Sequence, residues 1–168
     1  MGARAVFLVG FMGSGKSTVA FALARLLNCR AIDLDQAISE TEARTPRQII
    51  EEDGEPVFRE IETSRLRATL ERDLAPVIAL GGGAWTLPRN RALVAEHNGF
   101  TVWLDAPFDL CWQRIAAAGK ERPLAPNEEH TRRLYLDRRH QYELAALHLI
   151  TNGEEGADRL AETIARAV

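Results

Sequence analysis

The sequence predicts an α/β fold, a three-layer sandwich with a five-stranded parallel sheet between layers of helices. Three observations predict it: short continuous apolar runs of strand length, longer segments with apolar residues at helical spacing, and repeated alternation of the two along the chain. Runs that are apolar throughout mark strands buried on both faces, the condition of central strands in a parallel sheet.

Ala5 to Val9 is the first such run, and it ends at Gly10. From Lys16 to Leu27, the residues Val19, Phe21, Ala22, Leu23, Leu26 and Leu27 recur at helical spacing, and Asn28 can close the C-terminus. Ala31 to Leu34 is a second strand, followed by a weaker helical stretch from Asp35 to Glu42. Thr45-Pro46-Arg47-Gln48 reads as an N-cap Thr, a first-turn Pro and a Gln completing a capping box, opening a short helix over about 46–53 that Gly54 ends. Pro56 starts a longer helix through about Leu70, and Val77 to Leu80 is a third strand stopped by Gly81, Gly82 and Gly83. Pro88 opens a helix toward His97, Gly99 breaks it, and Thr101 to Leu104 is the fourth strand. Pro107 introduces a helix to about Ala118, and the charged segment Gly119 to Pro126 precedes a long helix to about Ala146. Leu147 to Ile150 is the last strand, Asn152-Gly153 a turn, and the remainder a closing helix.

A chain of 168 residues is long enough for one well-buried domain, and no repeat, low-complexity tract or linker divides it, so one domain over 1–168 is expected. Apolar residues at 46% and charged residues at 27% exclude disordered and collagen-like classes. A formal charge of -3 and a pI near 5.8 argue against sequence-independent binding of nucleic acid. No apolar stretch approaches the ~20 residues that span a bilayer, so no membrane partner and a cytoplasmic location are expected. Cys29 and Cys111 show no metal or redox spacing and read as buried filler in a reduced compartment. His97, His130, His140 and His148 stand at no ligand spacing, so no transition-metal site is expected.

Gly10 to Ser17 matches G-x-x-x-x-G-K-S/T and lies between a buried strand and a helix, where a phosphate cradle belongs. The glycines let backbone N–H groups curl around a β-phosphate, Lys16 reaches the β- and γ-phosphates, and the helix N-terminus adds partial positive charge. Ser17 would hold Mg2+ through its hydroxyl. The pattern implies a P-loop NTPase fold and ATP as a substrate.

The third strand does not end in the Asp that commonly helps hold magnesium in P-loop ATPases, so another carboxylate is needed. Asp33 and Asp35 stand two apart, and an extended backbone would point both to the phosphate end of the sheet. Asp33 is assigned to the metal and Asp35 to the acceptor hydroxyl, which it would orient and deprotonate. Gly81-Gly82-Gly83, after the third strand, would let backbone N–H groups approach an acceptor closely. Arg59 is within helical reach of Glu55 and Glu62, and Arg138 stands among Arg132, Arg133 and Arg139, so spacing leaves both open as surface charges.

Gly13 to Thr18, Asp33-Leu34-Asp35, Gly54-Glu55 with Phe58-Arg59, Gly81-Gly82-Gly83, Arg122-Pro123-Leu124, and Arg138 with Tyr142 together resemble the shikimate kinase family. The resemblance spans nearly the whole chain, in order. It implies ATP-dependent phosphorylation of the shikimate 3-hydroxyl in aromatic amino-acid biosynthesis, with catalytic Lys16, Asp35 and Arg122 and a substrate-binding segment over about 34–62. It implies ATP contacts from Gly13, Ser14, Gly15, Lys16, Ser17, Thr18, Arg114 and Arg122, with Arg114 stacking on adenine. Shikimate would be held by Asp35, Arg59, Gly82 and Arg138, the two arginines pairing its carboxylate. The segment over about 118–127 would be a lid whose Arg122 closes on the phosphates and excludes water.

The sequence departs from the family pattern at His140, Ala146, Glu154 and Glu155, the last two in a loop expected near adenine. A monomer acting on small molecules is expected. The competing readings are another P-loop small-molecule kinase, such as a gluconate or nucleoside-monophosphate kinase, and a kinase-like sensor without turnover.

Overall fold

The runs at Val6–Val9, Val77–Ala79 and Thr101–Leu104 become strands buried on both faces, whereas the run at Leu147–Ile150 alternates partly buried with exposed side chains. The structure, a computed structural model, describes residues 4–72, 76–119 and 124–168. The strands are β1 (Val6–Val9), β2 (Ala31–Asp33), β3 (Val77–Ala79), β4 (Phe100–Asp105) and β5 (Leu147–Ile150). They form one sheet in the order β2-β3-β1-β4-β5, with every neighbouring pair parallel. The helices are α1 (Lys16–Leu27), α2 (Leu34–Glu42), α3 (Pro46–Asp53), α4 (Glu55–Arg72), α5 (Pro88–Glu96), α6 (Phe108–Ala117), α7 (Glu128–Tyr142) and α8 (Ala157–Ala165). The three-layer sandwich is as expected.

Strand period two splits the core into halves. Val6, Leu8, Val77, Ala79, Val102 and Leu104 face Val19 and Leu23 of α1 and Leu160 and Ile164 of α8. Phe7, Val9, Ile78, Leu80 and Trp103 face the other layer, including Ile38 of α2, Leu66 of α4, Leu93 of α5 and Tyr142 of α7. Burying each such Leu or Ile side chain contributes about 1.5–3 kcal/mol. β1 is central, with β2 and β3 on one side and β4 and β5 on the other, so the chain progresses one way through the sheet from β1 to β2 and the opposite way where it crosses from β3 to β4. In a parallel sheet, that reversal opens a crevice over the carboxyl ends of the strands.

Local signals hold at several helix ends. Asn28 closes α1 in a left-handed conformation with φ 51. Thr45 and Gln48 form the reciprocal capping box of α3 with Pro46 in the first turn.

Three expectations are corrected. The long helix stops at Tyr142 rather than Ala146, because β5 lies beside β4 and Thr101 Oγ1 of β4 accepts the Ala146 N–H at 2.9 Å. Asp35 does not extend the second strand: Asp33 ends β2 and caps α2 by accepting the Gln36 N–H at 3.1 Å, which puts Asp35 in the first helical turn. Cys111 is buried, but Cys29 is exposed, since it lies beyond the left-handed cap of α1. A single 3-10 turn at Ala84–Thr86 also joins the three glycines to α5.

Candidate active site

The loop after β1 runs over the carboxyl ends of the strands into α1, and its conformation demands glycine. Gly13 has φ 74 and Gly15 has φ 97, and a Cβ on Gly13 would lie 2.8 Å from the Cys111 carbonyl oxygen. Lys16 is buried, and its Nζ donates to the carbonyl oxygens of Gly10 at 2.9 Å and Phe11 at 2.8 Å, so the ammonium spans the mouth of the loop. Ser14 Oγ is buried without a hydrogen-bond partner among the described residues. This loop forms one wall of a cleft of about 1200 Å³, which Thr18 also lines.

The Ser17 hydroxyl donates to Asp33 Oδ2, so the two side chains assigned to magnesium meet at the start of α1. Asp33 and Asp35 both line the cleft, as expected, although the helical turn rather than an extended strand brings them there.

The far wall explains the three glycines. A Cβ on Gly81 would lie 2.8 Å from Asp35 Oδ1 and 2.8 Å from Glu62 Oε1, so two carboxylates converge there. A Cβ on Gly83 would collide with the Arg59 guanidinium. A Cβ on Gly82 would lie 3.3 Å from Met12 and 3.5 Å from Arg138 Nη1. The glycines make room for charged side chains that crowd the loop.

Both arginines are drawn inward. Arg138 is 7% exposed on α7, and the Tyr142 hydroxyl one turn later donates to the Gly82 carbonyl at 2.5 Å, fixing α7 to the glycine loop. Burial pushes the Tyr142 phenol up to about 12, against the pull of Arg138 beside it, so it stays a donor. Arg59, with 11% of its side chain exposed, donates to Glu62 Oε2 at 2.8 Å and to Glu55 Oε1 at 3.0 Å. The helical pairing that spacing allowed is therefore real, yet it faces the cleft rather than solvent. Burial lowers the proton affinity of the guanidinium, but Glu62 and Glu55 outweigh it and Arg59 is raised.

Glu62 is the residue that sequence reasoning missed as part of this wall. It is fully buried, and its Oε1 has no hydrogen-bond partner among the described residues. Burial pushes its carboxyl up to about 7, the Arg59 charge and hydrogen bond oppose this, Asp35 adds to it, and Arg138 opposes it. Its only sequence signal is the three-residue spacing from Arg59, because α4 carries charge around most of its circumference.

At the opposite end, Arg114 Nη1 donates to the Gly13 carbonyl at 2.9 Å, and a Cβ on Gly153 would lie 3.5 Å from Arg114 Nη2. Arg114 therefore bridges the phosphate loop and the loop after β5. Glu155 has a structural task there: its carboxylate accepts from the Thr151 hydroxyl at 2.9 Å and the Asn152 N–H at 3.3 Å, closing that loop. Hydrogen bonds from its own backbone and from Thr151 lower its pKa. Arg122 and part of the expected lid fall at 120–123, outside the described residues.

A parallel sheet of this order, with a phosphate cradle at one wall of its crevice and a charged acceptor wall opposite, defines a P-loop kinase of small molecules. A family model described as shikimate kinase matches residues 12–168. The shikimate kinase of Cereibacter sphaeroides is 37% identical over 167 residues, covering 98% of this chain and 82% of that protein. The shikimate kinase of Persephonella marina is 33% identical over 166 residues, covering 97% and 98%. The solved structure of shikimate kinase from Acinetobacter baumannii in complex with shikimate matches with a TM-score of 0.91 at 36% identity, covering 98% of this chain and 92% of that one. This chain belongs to the shikimate kinase family, and it is an ATP-dependent kinase of shikimate.

Proposed function

We propose that this cleft transfers the γ-phosphoryl group of ATP to the 3-hydroxyl of shikimate, giving shikimate 3-phosphate and ADP, with the residues divided as follows. The backbone of Gly13, Ser14 and Gly15 and the start of α1 at Ser17 and Thr18 hold the phosphates, and Lys16 exchanges its loop carbonyls for β- and γ-phosphate oxygens. Arg114 lies against the nucleotide on the adenine side. Arg59 and Arg138 pair the acceptor carboxylate, the Gly82 backbone binds beside it, and Asp35 accepts the proton of the attacking hydroxyl. Glu62 positions Arg59. Arg122, by its place in the expected lid, closes on the transferring phosphoryl group.

The Ser17 hydroxyl and the Asp33 carboxylate form the hard oxygen donor set that suits Mg2+, and they already meet through one hydrogen bond. Bound there, the ion would offset the charge on the β- and γ-phosphates. No helix among the described residues is long and apolar enough to cross a membrane. We place the enzyme in the cytoplasm, where ATP and its small-molecule acceptor are at hand, as a monomer of one kinase domain.

The observation that carries this reading is the convergence of partly buried Arg59 and buried Arg138 with Asp35 on Gly81 to Gly83, across one cleft from Lys16. The test is ADP release with ATP and Mg2+ in the presence of shikimate, gluconate, AMP or no acceptor. Stimulation by shikimate alone is expected, whereas no stimulation by any acceptor would indicate a sensor. Asp35→Asn should cut turnover by about 10²–10⁴-fold with ATP binding retained, and a wild-type rate would remove Asp35 from the mechanism.

A further inference from the structure

The end of the cleft away from the acceptor wall is lined by Arg114, Thr151, Gly153, Glu155, Ala157 and Leu160. With the phosphates at Gly13 to Ser17 and the acceptor against Gly81 to Gly83, the base of the nucleotide is left this end. Glu155 is the one acid in that lining, where some positive or neutral group would be the simpler neighbour for a bound triphosphate.

The loop after β5 is closed by bonds that do not involve Glu155. Thr151 Oγ1 accepts the Gly153 N–H at 3.1 Å, Asn152 Oδ1 accepts the Glu154 N–H at 2.9 Å, and Asn152 Nδ2 donates to Glu154 Oε2 at 3.1 Å. Glu155 adds two more, from the hydroxyl of buried Thr151 and from the Asn152 N–H, and both go to Oε2. Oε1 takes part in neither. These bonds fix the direction of a half-buried carboxylate and leave its second oxygen for a donor. The lowered pKa of Glu155 keeps it ionised at neutral pH, so it can accept hydrogen bonds but not donate them. Adenine carries a donor, its N6 amino group, at the ring position where guanine carries an acceptor, O6.

We propose that Glu155 sets the base specificity of the nucleotide site, its Oε1 accepting a hydrogen bond from the N6 amino group of adenine and repelling the O6 oxygen of guanine. The inference rests on the proposed placing of the nucleotide between the phosphate loop and Arg114.

The test is kcat/KM at saturating shikimate for ATP, GTP and purine riboside triphosphate, which lacks the amino group. The wild type is expected to favour ATP over each of the other two by about tenfold or more. Glu155→Ala should bring ATP and purine riboside triphosphate within about threefold of each other, through loss of efficiency with ATP. Simple damage to the loop would weaken both nucleotides alike and leave their ratio standing. Unfolding midpoints confirm that the variant folds. A wild type that does not discriminate, a wild type that prefers GTP, or an unchanged ratio in Glu155→Ala would each overturn the proposal. Arg114→Ala separates this failure from failure of the placing itself. It should raise the KM for all three nucleotides; if it does so while Glu155→Ala keeps the wild-type ratio, the role of Glu155 alone falls, and if it alters none of them, the placing falls and the proposal with it.

Discussion

Arg138 is 7% exposed and reaches the glycine loop beside Tyr142, where we propose that it pairs the carboxylate of the acceptor. A charge-assisted hydrogen bond is worth about 1.5–3 kcal/mol, so Arg138→Ala should raise the KM for shikimate by about 10–100-fold and barely change that for ATP. Steady-state kinetics with each substrate varied checks this, and equal effects on both would refute the assignment. Glu62 makes a prediction about pH. Its carboxyl is pushed up from 4.5 to about 7 in the folded protein, so between those values the native state holds a proton that the unfolded chain releases. Its contribution to stability is complete below about 4.5 and is lost as pH rises through about 7. The difference in urea midpoint between wild type and Glu62→Gln should therefore change between about pH 5 and about pH 8, with the wild type losing relative stability at the higher pH. A constant difference would show that Glu62 titrates normally.

The helices that carry the acceptor wall are set by short local codes. Pro46 and the Thr45–Gln48 capping box start α3, and Pro46, Arg47, Gln48, Ile50 and Glu51 of that segment line the cleft. Thr45→Ala removes the side chain that accepts the Gln48 N–H and should destabilise the protein by about 1 kcal/mol, read as a lower urea midpoint with an unchanged slope. An unchanged midpoint would mean that the helix start is held by tertiary packing alone. α7 shows the limit of such codes. Its C-terminus carries no glycine, and the helix stops at Tyr142 because Thr101 of β4 captures the Ala146 N–H. On β5, His148 stacks on Trp103 at 4.1 Å and its Nε2 lies 2.8 Å from Asp105 Oδ2, which gives that histidine a structural place on the sheet edge.

Across the molecule, the phosphate loop and the opposite wall of glycines and charged side chains lie on different elements and share one cleft, so on the proposed assignment each substrate would brace its own side. A ligand present at 100 times its Kd stabilises the native state by about 2.7 kcal/mol. An ATP analogue and shikimate should each raise the thermal midpoint, and Arg138→Ala should lose the shikimate increment while keeping that of the nucleotide. Loss of both increments would mean that Arg138 supports the fold rather than the acceptor.

The layer architecture and the phosphate cradle were legible in the linear chain because both rest on local physics. Apolar runs can be buried on both faces only as central strands, and the loop from Gly10 to Ser17 needs glycine backbone geometry whatever surrounds it. The three glycines after β3 were visible as an anomaly, but their cause was not, since the Asp35, Glu62 and Arg59 groups that crowd them arrive from two other helices. Arg59 and Arg138 read equally well as solvated charges at helical spacing. Which face of a charged helix turns inward depends on the partner packed against it, and the burial of Glu62 beside Arg59 is a product of α4 lying under the glycine loop. Burial is a property of contacts between distant segments, so the proton affinity that follows from it could be read only once those segments had met.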